Sequence, residues 1–110
     1  AEDALTKAKI ADKELQSISK KGNSTKPLLG IPLSIKDNFA TKDQRTTASS
    51  KVLDNYYPPF DATVTRRLKD AGAIIVGKNN MDAWAHGSST ETSDNGATHN
   101  PWEQLSLVRR

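Results

Sequence analysis

The sequence predicts an α/β protein, and three stretches carry that prediction. Residues 31–36 alternate apolar Ile31, Leu33 and Ile35 with Pro32, Ser34 and Lys36, the period of two expected of a strand whose faces differ. Residues 62–71 place Ala62, Val64, Leu68 and Ala71 at helical spacing and are followed by Gly72, a helix with its C-terminal stop. Residues 73–77 then run Ala-Ile-Ile-Val-Gly without polar alternation, the pattern of a strand covered on both faces in a parallel sheet. Strand, helix and buried strand in that order describe an α/β layer with a right-handed crossover.

Taken in order, residues 1–19 carry Ala4, Leu5, Ala8, Ala11, Leu15 and Ile18 at spacings of three and four, one apolar stripe of a surface helix. Glu2 and Asp3 near its start and Lys13 farther along suit the helix dipole. Residues 20–27 form a loop marked by Gly22, Asn23 and Pro27, and Pro27 turns Lys26 away from helix. The strand over 30–36 follows. Residues 37–59 hold few apolar side chains. Thr46, Thr47, Ala48, Ser49 and Ser50 read as an irregular loop whose hydroxyls bond their own backbone. Pro58 and Pro59 exclude helix interior around Tyr56, Tyr57 and Phe60. Asp61 reads as the N-cap of the next helix, with Arg66, Arg67 and Lys69 on its wet side. Residues 79–87 begin another short helix carrying Met81, Trp84 and Ala85. Residues 87–90 and 94–96 are loop, and Asn100-Pro101 is a turn. There is no internal repeat.

At 110 residues the chain is at most one domain. Its hydrophobic share, 35%, is low for a self-sufficient core. Sixteen Lys and Arg against thirteen Asp and Glu leave a formal charge of +3, but the basic residues are dispersed and not interleaved with aromatics. That is a weak footprint for nucleic acid. No cysteine is present, which removes disulfides, thiol nucleophiles and thiolate metal ligands and fits a reducing compartment. His86 and His99 stand thirteen residues apart with no cysteine to join them, short of the four ligands a structural zinc requires. Residues 72–77 hold no phosphate-cradling glycine loop. No segment approaches a membrane span and no signal peptide opens the chain. The missing initiator Met leads us to expect residues upstream.

Lys36 is the leading chemical candidate. It shares a strand face with Ser34, while Asp37 points to the other face if the extended geometry persists. A lysine at a strand end is ordinarily a solvated charge. An aspartate beside the ammonium would hold it protonated, whereas a lysine in an apolar setting without a close anion can lose its charge and act as a base.

The string Gly-Ile-Pro-Leu-Ser-Ile-Lys-Asp-Asn at residues 30–38 resembles the segment carrying the catalytic lysine of the amidase signature family. The resemblance continues through Thr-Thr-Ala-Ser-Ser at 46–50, Asp-Ala-Thr-Val at 61–64, Ala-Gly-Ala-Ile-Ile-Val-Gly-Lys at 71–78, Asn-Met-Asp at 80–82, Gly-Ser-Ser-Thr-Glu at 87–91 and Asn-Pro-Trp at 100–102. Several blocks in the right order are far more specific than any one of them. Within the family the blocks look closest to the glutaminase (A) subunits of tRNA-dependent amidotransferases. The chain departs from the pattern at Ala83 and His86, where many relatives carry Glu and Met.

The resemblance implies a fragment of a mixed-sheet α/β/α fold. Residues 1–110 would be the N-terminal part of one amidase domain, with a helix over 1–19, a linker over 20–29, an αβ core over 30–102 and an atypical tail over 103–110. It implies a Ser-Ser-Lys system in which Lys36, kept neutral by burial, deprotonates a bridging serine that activates a nucleophilic serine. Both serines belong to Gly/Ser-rich stretches that follow the Asn-Pro-Trp block in the family, and no Gly-Gly-Ser-Ser-Gly-Gly run stands in this sequence. The 110 residues alone are therefore expected to be inactive. By analogy Gly87, Ser88, Ser89 and Thr90 border the substrate pocket; ordinary loop polarity explains them equally well. The implied substrate is glutamine, hydrolysed to supply ammonia for converting Glu-tRNA(Gln) to Gln-tRNA(Gln) in translation. The implied partners are B and C subunits, with the tRNA reached through the complex. No cofactor is expected in this chain, because ATP and magnesium act in the partner subunit. The expected setting is cytoplasmic, with a mitochondrial or plastid matrix as the alternative. A general amidase for small carboxamides and a truncated, non-catalytic αβ module remain the competing readings.

Overall fold

The computed structural model describes residues 2–19, 22 and 25–107. Parts of the expected 20–27 loop and of the 103–110 tail lie outside the described residues. Helix α1 (Glu2–Ser19) leads through a turn into strand β1 (Pro32–Lys36), a single 3-10 turn (Lys51–Leu53), helix α2 (Thr63–Asp70) and strand β2 (Ile74–Asn79). A second 3-10 turn (Ala83–Ala85) and strands β3 (His99–Asn100) and β4 (Glu103–Leu107) complete the order. β1 pairs with β2, and β3 with β4. The Ile74 N–H donates to the Ile31 carbonyl at 2.9 Å and the Asp37 N–H to that of Asn79 at 3.1 Å. Residue numbers rise together along both strands, so the β1–β2 sheet is parallel, joined through α2.

The chain divides into two compact units, one of Ala1–Ile35 with Thr63–Gly77 and one of Lys36–Ala62 with Lys78–Arg110. The first is held by apolar packing. Ala11, Ile35, Ala73, Ile74 and Ile75 are its buried apolar residues. Along β1 the alternation holds from residue 32, with Leu33 and Ile35 covered and Pro32, Ser34 and Lys36 exposed; Ile31, expected on the apolar face, precedes the strand and is 46% exposed. The turn before β1 approaches α1 closely at Gly30, where φ is +80° and a Cβ would lie 3.6 Å from Ala11 and Leu15 side-chain atoms.

Helix α2 ends as its glycine predicts. The Gly72 N–H donates to the Lys69 carbonyl and the Ala73 N–H to that of Leu68, the paired bonds of a Schellman stop. Three details differ from expectation. The helix starts at Thr63, two residues past Asp61, whose Oδ1 accepts from the Lys42 N–H at 2.8 Å. Its inward stripe passes through fully buried Thr65, while Val64 is 46% exposed, because the helix meets its neighbours one position farther along than the apolar residues suggest. In β2, Ile74 and Ile75 are buried but Val76 is 54% exposed. Both faces are thus covered only at the strand's start.

The second unit has a polar interior. Among the described residues Met81 and Pro58 are buried apolar side chains of this unit, and Asp37, Thr41, Thr46, Thr47, Ser49, Ser50, Asp82 and Ser93 are buried with them. The short helix expected over 79–87 is a single 3-10 turn. Trp84 and Ala85 take φ of +56° and +65°, left-handed conformations that no right-handed helix continues through, and Trp84 stays half exposed. The Asn100-Pro101 turn is present, but it joins an antiparallel hairpin that the short segments did not reveal. Asn100 pairs with Glu103 and His99 with Leu107, and the Asn100 Oδ1 accepts from the Trp102 N–H at 3.0 Å.

Candidate active site

The sheet strands deliver two lysines into the second unit. Lys36 is the last residue of β1 and Lys78 the next-to-last of β2, the carboxyl ends where parallel α/β sheets place ligands. The two have different surroundings. Lys78 is largely covered and its Nζ donates to the Phe39 carbonyl at 2.6 Å, to Thr46 Oγ1 at 3.0 Å and to Thr41 Oγ1 at 3.1 Å. It also stands 3.6 Å from Asp37 Oδ1. Burial lowers its pKa from the usual lysine value, against the opposing pull of the Asp37 carboxylate. The burial expected of Lys36 is not found: as the outward-facing last residue of β1 it is exposed, and its ammonium has no hydrogen-bond or ion-pair partner among the described residues.

Asp37 is therefore the neighbour of Lys36 in sequence and the counter-ion of Lys78 in space. Its buried Oδ2 accepts from Thr47 Oγ1 at 2.5 Å, from the Thr47 N–H at 3.0 Å and from the Ser49 N–H at 3.4 Å. Its Oδ1 has no hydrogen-bond partner among the described residues, and Lys78 supplies charge compensation only. The hydroxyls of 46–50 partly turn on their own backbone, as expected. Thr46 Oγ1 donates to the Gln44 carbonyl, and Thr47 Oγ1 accepts from the Ser49 N–H. Ser49 reaches farther: its Oγ donates to Asn80 Oδ1 at 3.0 Å and accepts from the Met81 N–H at 3.1 Å. Asn80 also takes the Ser93 hydroxyl at 2.7 Å and donates to the Gly96 carbonyl and to Thr98 Oγ1. Its amide is fully used. A cavity of about 450 Å³ opens on this network, lined by Asp37, Arg45, Ser49, Lys78, Asn80 and Asn95 among others.

The hydroxyl-rich loop is organised by Asp82. One carboxylate oxygen accepts from the Ser89 N–H at 3.0 Å and the Thr90 N–H at 2.9 Å. The other accepts from Thr92 Oγ1 at 2.9 Å and the Thr92 N–H at 3.3 Å. These bonds, that of Thr90 first, hold the carboxyl below its usual pKa against the effect of burial. Gly87 and Ser88 are exposed, Ser89 and Thr90 half-buried. Lys36 makes no hydrogen bond to this loop among the described residues. Sequence reasoning assigned no role to Lys78, Ser49, Asn80 or Asp82. A lysine closing a β-branched run and an aspartate just ahead of a Gly/Ser/Thr stretch were the available signals. Among the described residues no group of three or more His, Cys, Asp or Glu is placed to hold a metal. No helix among them is long and apolar enough to cross a membrane.

The chain belongs to the Amidase family, whose family model matches residues 1–107. Among curated proteins it is 54% identical over 99 residues to the glutamyl-tRNA(Gln) amidotransferase (A) subunit of Prochlorococcus marinus strain NATL2A, covering 90% of this chain and 20% of that protein. It is 50% identical over 103 residues to the corresponding protein of Methanococcoides burtonii, covering 94% and 20%. Among solved structures, the glutamyl-tRNA(Gln) amidotransferase (A) subunit of Thermotoga maritima superposes with a TM-score of 0.70 at 39% identity over 92% of this chain and 26% of that one. A chain from an unexpected vestigial protein complex, which reveals the evolutionary origins of an s-triazine catabolic enzyme, gives 0.75 at 31% identity over 94% and 23%. The chain thus spans about a fifth of the length of the curated relatives it matches.

Proposed function

We propose that these residues form the N-terminal portion of the glutaminase (A) subunit of a glutamyl-tRNA(Gln) amidotransferase. The observation that carries the reading is the 54% identity over 99 residues to such a protein. Lys36 is the base of a Ser-Ser-Lys system. Lys36 takes the proton of a bridging serine, which deprotonates the nucleophilic serine. That serine attacks the glutamine carboxamide carbon, and the C–N bond breaks with proton return to nitrogen. Ammonia leaves, and water releases glutamate from the acyl-enzyme. The ion-pair geometry supports this assignment, because the charge of Asp37 is answered by Lys78 and not by Lys36. Gly87, Ser88, Ser89 and Thr90 border the glutamine pocket. B and C subunits complete the assembly; ATP and magnesium act in the partner, where ammonia meets Glu-tRNA(Gln). The setting is cytoplasmic.

The test is glutaminase activity of the protein made from its own gene. Lys36→Ala should lower kcat/KM by about a thousandfold or more. Retained activity would sink the assignment. The 110 residues expressed alone should not hydrolyse glutamine, since they hold no Gly-Gly-Ser-Ser-Gly-Gly run; turnover by that chain, abolished by Lys36→Ala, would overturn this part. Equal activity on simple carboxamides would favour a general amidase.

A further inference from the structure

We infer that Asp82 is the positioning residue of the substrate loop, its carboxylate clasping residues 87–92 into the shape that presents Gly87 and Ser88 to the amide substrate. The inference rests on the glutaminase reading above. An aspartate at the head of a 3-10 turn ordinarily caps that turn, yet Asp82 makes no side-chain cap bond. Its carboxylate faces the loop instead, where both oxygens are engaged by the amides of Ser89, Thr90 and Thr92 and by the Thr92 hydroxyl. Thr92 Oγ1 in turn accepts from the Ala83 N–H at 3.1 Å, tying the loop to the turn.

Two features show that the clasp dictates loop shape. Thr90 sits at φ +65°, a strained conformation for a Cβ-bearing residue that persists only where surroundings over-determine it, as functional loops do. Thr90 Oγ1 is fixed as well, donating to the Ser89 carbonyl and accepting from the Thr98 N–H at 2.7 Å. The second feature is Gly87, where a Cβ would fall 2.4 Å from the Asp82 carboxyl carbon and 2.6 and 2.8 Å from its oxygens. The carboxylate is seated against the glycine backbone, and no larger residue leaves it there. With the amides of Ser89, Thr90 and Thr92 turned inward, the loop leaves Gly87 and Ser88 exposed at its start and Glu91 and Thr92 at its end. Ser88 has no hydrogen bond among the described residues.

The experiment uses the protein from its own gene, in its native assembly, carrying Asp82→Asn, Gly87→Ala or both. Each single change should raise KM for glutamine about tenfold while kcat stays within about twofold, because the loop binds and does not react. The double variant should be no worse than either single, since both changes release one clasp. Additive KM effects, or a lower kcat at native KM, would overturn the inference. If Asp82→Asn does not fold, Thr92→Val removes one donor to the carboxylate, together with the acceptor of the Ala83 N–H, and should show the same KM-only signature more weakly; native KM there is the overturning result. Lys36→Ala separates the two readings. Activity lost in Lys36→Ala with native KM in Asp82→Asn removes the clasp alone, whereas activity retained in Lys36→Ala removes the glutaminase reading beneath it.

Discussion

At the residue scale, Asp37 and Lys78 form a buried pair whose members cannot be removed singly without cost. Lys78→Met leaves a nine-tenths-buried carboxylate without its cation, and breaking such a pair costs about 3–5 kcal/mol. The expected outcome is a clearly lower unfolding midpoint, partly restored by adding Asp37→Asn. No recovery in the double variant would show that the three neutral contacts of Lys78 matter more than its charge. Thr47→Val keeps the volume of residue 47 but removes both the donor to Asp37 and the acceptor for the Ser49 N–H. Leaving a buried partner unsatisfied costs about 1–3 kcal/mol, to be read by chemical denaturation. Neither contact was visible in sequence. Thr46 to Ser50 read as a self-bonding loop, and only folding brings Asp37, ten residues away from Thr47, against it.

At the element scale, the α2–β2 corner is a one-residue decision. Gly72 sits at φ +92°, and a Cβ there would lie 2.8 Å from the Leu29 Cα. That neighbour is backbone and cannot swing aside. Gly72→Ala therefore suffers both left-handed strain and a main-chain clash, with an expected loss of about 2 kcal/mol or more; a thermal midpoint equal to the native one would refute the close approach. Gly72 was legible as a helix stop from its place after Ala71 alone. Its role as the seat of Leu29 was not, because Leu29 is forty-three residues earlier and the bonds of Leu28 and Gly30 to the Ala71 and Gly72 carbonyls create the approach.

At the scale of the whole molecule, the acid limb of stability tests the Asp82 clasp. Its carboxyl lies below the usual value in the folded state, so the unfolded chain takes up the proton first. The stabilisation is complete above the unfolded value of about 3.9 and is lost as pH falls through the lower folded value. Unfolding free energy measured against pH should fall more steeply below about pH 4 in the native protein than in Asp82→Asn. Equal slopes would mean that the clasp contributes nothing to that limb. The sequence by itself determined the α/β class, the alternation of β1, the glycine stop of α2, the turn at Asn100-Pro101 and, through ordered blocks, the amidase family. All of these depend on period, local turn chemistry or linear order, which the chain carries without folding. Only the tertiary structure decided that Asp37 pairs with Lys78 and leaves Lys36 free of it. It also decided that Asp82 holds the 87–92 loop, that Thr65 rather than Val64 is buried, and that the second unit is packed around hydroxyls. Those outcomes turn on which polar groups meet when distant segments close together, and a buried charge takes whatever partner the closed fold puts within reach.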